Sequence, residues 1–132
     1  MAHLDQDRRQ RRSEDPITAL HYQLAHARHN GGFDALVLVD QAGMLVAGAG
    51  AWPVCEELAA FAPLLADQSP RPPACHPELS RLRPRVRLQT LRVQGATVLL
   101  AARGQGEDQG EHLESAAAGC LRILATSGAL AA

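Results

Sequence analysis

The residues of this 132-residue chain that could carry chemistry are its cysteines, its histidines and a set of glycines ahead of the last apolar segment. Nucleophilic catalysis needs a Ser or Cys held beside a base. No Ser occupies a strained strand-to-helix turn, Cys55 and Cys120 fall inside helical patterns that suit a small core residue, and Cys75 lies among prolines. His21, His26 and His29 share one segment, yet only the last two have a metal-pair spacing and no cluster of carboxylates or thiols lies near them. Cys75-His76 are adjacent and lack the spaced second pair of a zinc site. Gly104, Gly106 and Gly110 loosely resemble a dinucleotide-binding turn. However, the spacing is wrong, Glu107 and Asp108 would repel a pyrophosphate, and the chain ends before a ribose-binding acid could follow. No Lys occurs anywhere, so a phosphate-cradling loop ending in Lys-Ser or Lys-Thr is impossible and the chain is not itself a P-loop GTPase. No catalytic residue, cofactor or metal site is expected.

One charged pattern points to binding rather than catalysis. Arg81, Arg83, Arg85 and Arg87 alternate, so in an extended segment all of them would face the same way. Such a stripe either guards an edge strand against aggregation, with Pro84 tolerated at a strand start, or steers an acidic partner to that edge. The two readings are compatible.

Composition narrows the partner classes. The chain is 46% hydrophobic but 3% aromatic, so its core is built from Leu, Val and Ala, and a stacking platform for single-stranded nucleic acid is not expected. A formal net charge of -1 gives no reason to bind nucleic acid or an anionic membrane. Every one of the 13 basic residues is Arg, a bias that codon usage in a GC-rich genome accounts for. The 3 cysteines and a polar first segment without a signal-peptide core imply free thiols and a cytoplasmic protein. No apolar run approaches the roughly 20 residues that cross a bilayer, so direct membrane insertion is not expected.

The elements follow from patterning. Residues 1–14 form a polar arm in which Arg8, Arg9, Arg11 and Arg12 meet Asp5, Asp7, Glu14 and the adjoining Asp15, which reads as a disordered arm rather than a binding one. Asp15-Pro16 starts a helix that carries Ile17, Leu20, Leu24 and Ala27 and ends at Asn30-Gly31-Gly32. Ala35 to Gly50 reads as a hairpin turning at Asp40-Gln-Ala-Gly43, with strands covered on both faces. Next comes a helix with Val54, Leu58, Phe61 and Leu65 on its stripe and a kink at Pro63. Ala59, Ala60 and Leu64 give it a second apolar face, either a partner surface or a bland Ala-rich face. Prolines from 70 to 84 make a stiff connector with a helical turn near Glu78 to Leu82. A second hairpin turns at Gln94-Gly95; its apolar parity shift between Leu88 and Leu91 implies a bulge near Gln89-Thr90 or burial on both sides. The last helix starts near Gly110-Glu111, with Leu113, Ala117, Cys120, Leu121 and Leu124 at helical spacing, and the tail from Gly128 frays.

The order helix, hairpin, helix, connector, hairpin, helix, with Val39-Asp40 and Gly43 in the first turn and Glu57-Leu-Ala-Ala-Phe-Ala-Pro-Leu-Leu65 after it, resembles the Roadblock family over residues 16–126. The resemblance implies an α+β fold, an α/β/α sandwich whose five-stranded antiparallel sheet carries the first and last helices on one face and the middle helix on the other. The family's domain would occupy residues 15–127. The resemblance further implies a homodimer, or a heterodimer with another Roadblock-like subunit, formed through the middle helix and the strand after it. Ala59, Ala60, Pro63, Leu64, Arg81, Arg83, Arg85 and Arg87 are the expected dimer or partner interface. Bacterial members regulate a small Ras-like GTPase in cell polarity and motility without donating a catalytic arginine finger. The implied function is a noncatalytic regulator or scaffold acting on such a GTPase; the alternative is an assembly subunit of a larger complex with no direct GTPase contact.

Overall fold

The structure, a computed structural model, describes residues 15–66, 81–104 and 109–127. The expected polar arm, the frayed tail, the connector from 67 to 80 and the glycine loop at 105–108 lie outside the described residues.

Helix α1 spans Pro16–Gly31. Asp15 caps it: its carboxylate accepts from the Thr18 amide at 3.1 Å and from the Thr18 hydroxyl. Pro16 has no amide to satisfy in the first turn, and Gly32 closes the helix at φ 66. Strands β1 (Ala35–Asp40) and β2 (Leu45–Gly50) follow. Asp40 organises their turn, its Oδ1 accepting from the amides of Ala42 and Met44 at 2.9 Å each, while Gly43 takes φ +85. Leu38 pairs with Ala47 but Val39 with Leu45, so the register shifts past Val46.

Helix α2 spans Trp52–Ala66 and runs on through Pro63. A 3-10 turn, Arg83–Arg85, leads into β3 (Val86–Val93), which pairs with β4 (Ala96–Arg103) through Gln94-Gly95, both at positive φ. Pairing from Val86 with Arg103 to Val93 with Ala96 is unbroken, so no bulge causes the parity shift in β3. Nor is the strand buried on both sides, since Thr90 and Arg92 are exposed; the buried side instead switches from Val86 and Leu88 under α2 to Leu91 and Val93 on the opposite face. Helix α3, Gln109–Ser127, ends the described chain.

Among the described residues the sheet has four strands in the order β2-β1-β4-β3, all antiparallel, and this corrects the expected five-stranded sheet. The resemblance would put the fifth strand between α2 and the 3-10 turn, where residues 67–80 lie outside the described ones. That stretch of sequence carries Pro70, Pro72, Pro73 and Pro77, none of which can donate to a ladder.

Two cores separate the faces. On one, α1 and α3 bury Leu20, Leu24, Leu113, Cys120 and Leu124 against Leu36, Leu38, Leu91, Val98 and Leu100. On the other, α2 lays Cys55, Leu58, Ala59 and Ala62 on Ala35, Val37, Val39, Leu99 and Ala101. β1 is buried along nearly its whole length because both faces are covered, which is why its sequence is continuously apolar. At its end β2 is held by α1: His21 Nδ1 lies 2.8 Å from the Gly48 carbonyl oxygen and 3.3 Å from the Gly48 nitrogen.

Candidate functional site

The amides of Val54 and Cys55 bond to the Ala51 carbonyl at 3.1 and 3.0 Å to start α2, and Pro53 falls in the first turn where its missing amide costs nothing. Small residues then decide how the helix sits. Cys55, Ala59 and Ala62 let its backbone approach the sheet, and Leu58 fills the space between. The buried face is therefore Cys55, Leu58, Ala59 and Ala62, rotated from the expected stripe of Val54, Leu58, Phe61 and Leu65. Val54, Phe61 and Leu65 are only half-buried along one flank.

That rotation sorts the expected interface residues. Ala59 is core. Ala60 is exposed, Leu64 is half-buried on the outer side of the helix, and Pro63 is half-buried on the flank that meets the first turn. By helical arithmetic Pro53, Ala60 and Leu64 stand on the side facing away from the sheet, and Glu57, on the same row, reaches round to Arg103 at the sheet's end. Pro63 deprives the Ala59 carbonyl of its helical donor, and both groups lie against the first turn: a Cβ on Gly43 would stand 3.6 Å from Pro63 Cγ and 3.7 Å from the Ala59 oxygen. Met44, next to Gly43, is 65% exposed.

The four arginines do not form one stripe. Arg83–Arg85 is a 3-10 turn, whose period of three replaces the alternation of a strand, and Pro84 with its fixed φ sits at its centre. Arg81 and Arg85 line a cleft of about 300 Å³ together with Glu57, Leu82 and Arg103. Arg83 is exposed. Arg87 points to the opposite face, its Nη1 3.8 Å from where a Cβ on Gly110 would be.

Arg103 belongs to this cleft and carries no recognisable motif in the sequence. It is the last residue of β4, on the α2 side of the sheet, with Nη1 3.8 Å from Glu57 Oε1 and Nε 3.8 Å from Asp34 Oδ2. Both separations exceed hydrogen-bonding reach, and the Arg103 Nε is buried with no acceptor. Its one advance signal is position, as the only charged residue in Ala96–Arg103. Gln109 is equally silent in the sequence: buried, it donates from Nε2 to the carbonyls of Gly31 and Gly32 at 3.2 and 3.3 Å, tying the start of α3 to the end of α1.

His21, His26, Cys55 and Cys120 are occupied or inert. His21 is taken by Gly48, and His26 lies 2.9 Å from Asn30 Nδ2. Burial raises the Cys55 thiol and pushes Cys120 up to about 12, which keeps both protonated and poorly nucleophilic. Among the described residues no three His, Cys, Asp or Glu side chains stand together as a metal site, and no helix is long and apolar enough to cross a membrane.

No protein-family model matches this chain, and no curated protein matches it. A solved structure to which it is similar is Myxococcus xanthus MglB, at a TM-score of 0.51 and 11% identity over 82% of this chain and 89% of that one. At that identity the likeness shows the fold, which is MglB-like and of the Roadblock type.

Proposed function

We propose that this chain is a noncatalytic, dimeric regulator or scaffold that binds a small Ras-like GTPase and modulates its nucleotide cycle. The observation that supports it is the outer side and flank of α2, where Ala60, Pro63 and Leu64 present apolar surface on an MglB-like fold. The Roadblock resemblance assigns pairing to this helix. A second copy of the chain, or a related subunit, covers Ala60, Pro63 and Leu64, and the pair presents a composite surface to the GTPase. Regulation then works by binding: a partner that favours the hydrolysis-competent arrangement of the switch segments raises the rate without supplying a reacting group. Arg81, Arg83 and Arg85 add positive charge beside that surface and speed the approach of an acidic partner.

The alternative is an assembly subunit of a larger complex with no direct GTPase contact. An arginine stripe against an acidic scaffold would fit it, but Arg87 stands on the opposite face from the 3-10 turn, so no observation favours it over the first reading. The test is direct. Small Ras-like GTPases encoded in the same genome are assayed for single-turnover GTP hydrolysis and for nucleotide exchange, with and without the purified chain. A several-fold change in either rate, dependent on the bound nucleotide, is expected; unchanged hydrolysis and exchange across the set would overturn the reading.

A further inference from the structure

Among the described residues, the cleft between α2 and the start of β3 holds more hydrogen-bond donors than acceptors. Its walls present the guanidinium groups of Arg81, Arg85 and Arg103 against one carboxylate, Glu57. Glu57 and Asp34 approach Arg103 only to 3.8 Å, and the Arg103 Nε is buried without an acceptor. Arg81 and Arg85 have no ion pair among the described residues. A guanidinium presents fixed forks of N–H donors matched to tetrahedral or planar oxyanions. The desolvated Nε of Arg103 carries a cost until an acceptor arrives, while Arg81 and Arg85 are exposed to an incoming anion.

From this arrangement we infer that the cleft is a binding site for a phosphoryl group. Arg81 and Arg85 supply charge with no ion pair among the described residues, and Arg103, 3.8 Å from both Asp34 and Glu57, supplies the buried donor. Among the described residues the cleft sets three guanidinium side chains against the one carboxylate of Glu57, a net positive field whose many N–H donors suit the several oxygens of a phosphoryl group better than the two of a single carboxylate. The volume of about 300 Å³ leaves room for a phosphate with a further substituent. Glu57 is a built-in competitor: its carboxylate occupies the same field as the incoming anion and weakens binding. The site is independent of the partner reading above and would operate whether or not the chain engages a GTPase.

The experiment is calorimetric titration of the full chain, at fixed ionic strength, with inorganic phosphate, pyrophosphate and GDP in separate runs and succinate as a dicarboxylate control. Saturable binding of a phosphoryl probe is expected. Arg85→Gln, at an exposed position, should weaken it by about tenfold or more, the loss of one charge-assisted contact. Glu57→Gln should tighten it, a gain that no merely structural role for Glu57 would produce. Tighter binding of GDP than of pyrophosphate assigns a nucleoside diphosphate as the source, and equal binding assigns the phosphate group alone; both support the site. Urea midpoints confirm that the variants are folded. No saturable heat with any phosphoryl probe, undiminished affinity in the Arg81→Gln/Arg85→Gln variant, or succinate binding as tightly as phosphate would each overturn the assignment.

Discussion

Substitutions at Leu58, Ala62 and Leu65 read out which way α2 faces. Leu58 is fully buried between α2 and the sheet, so Leu58→Ala leaves a cavity and should cost about 2–5 kcal/mol. Ala62 is equally enclosed, and Ala62→Leu forces extra volume into a packed layer at about 1–3 kcal/mol. Leu65 is half-buried on the flank, so Leu65→Ala removes little apolar area from the core and should cost about 1 kcal/mol. With roughly 4 °C of melting temperature per kcal/mol in a domain of this size, Leu58→Ala should melt roughly 8–20 °C lower and Leu65→Ala only roughly 4 °C lower. Urea midpoints at constant slope, together with thermal melts, give the values. Several protein concentrations separate folding from self-association, because Leu65 lies near the proposed dimer surface. If Leu65→Ala cost as much as Leu58→Ala while Ala62→Leu were neutral, the helix would face the sheet with its Val54–Phe61–Leu65 stripe and the rotated packing would be wrong.

Other outcomes follow from single contacts. Leu64→Glu should shift light-scattering mass from dimer to monomer and leave the urea midpoint of the monomer unchanged; a dimer that persists at micromolar concentration would remove α2 from the interface. Gly50 sits at φ +119 with a Cβ position 2.6 Å from the Asp34 carbonyl oxygen, so Gly50→Ala should cost about 1–3 kcal/mol. Gly95→Ala, with nothing within 4 Å, should cost less in the same denaturation series. The two buried thiols should ignore a thiol-reactive dye at pH 8 until the protein unfolds, measured in a Cys75→Ser background. Hydrogen bonds from Thr18 hold the Asp15 carboxyl below its usual 3.8. A depressed folded-state pKa contributes stability that is full above 3.8 and fades as pH falls through the lower folded value. Asp15→Ala should therefore flatten the acid limb of a stability-versus-pH profile and leave its neutral shape unchanged.

Much of this architecture is written locally. Asp15-Pro16, Asp40 with Gly43, and Gln94-Gly95 each dictate a cap or turn through groups a few residues apart, and each appears where its chemistry puts it. The phase of α2 was less legible, because a helix that carries Ala59 and Ala62 beside Leu58 and Leu65 is apolar most of the way round; close approach to the sheet selected the alanines. The number of strands was not legible from element order, which stays the same whether or not the proline stretch joins the sheet. The arginine cleft was invisible for a different reason. Glu57, Arg85 and Arg103 meet only because β3 and β4 pair in register and α2 crosses above them, and no local spacing encodes a contact between residues 57 and 103.

The histidine ring of α1 that sits on Gly48 gives the sheet unequal borders. In one tautomer it donates to the Gly48 carbonyl, in the other it accepts from the amide, and either way a passing strand finds that position of β2 occupied. β3 carries no such plug among the described residues, which leaves it the more open of the two borders to strand addition. Two molecules joined through β3 about a two-fold axis would each turn that open border inward and leave the guarded β2 borders outside, an arrangement that closes as a pair rather than elongating into a filament.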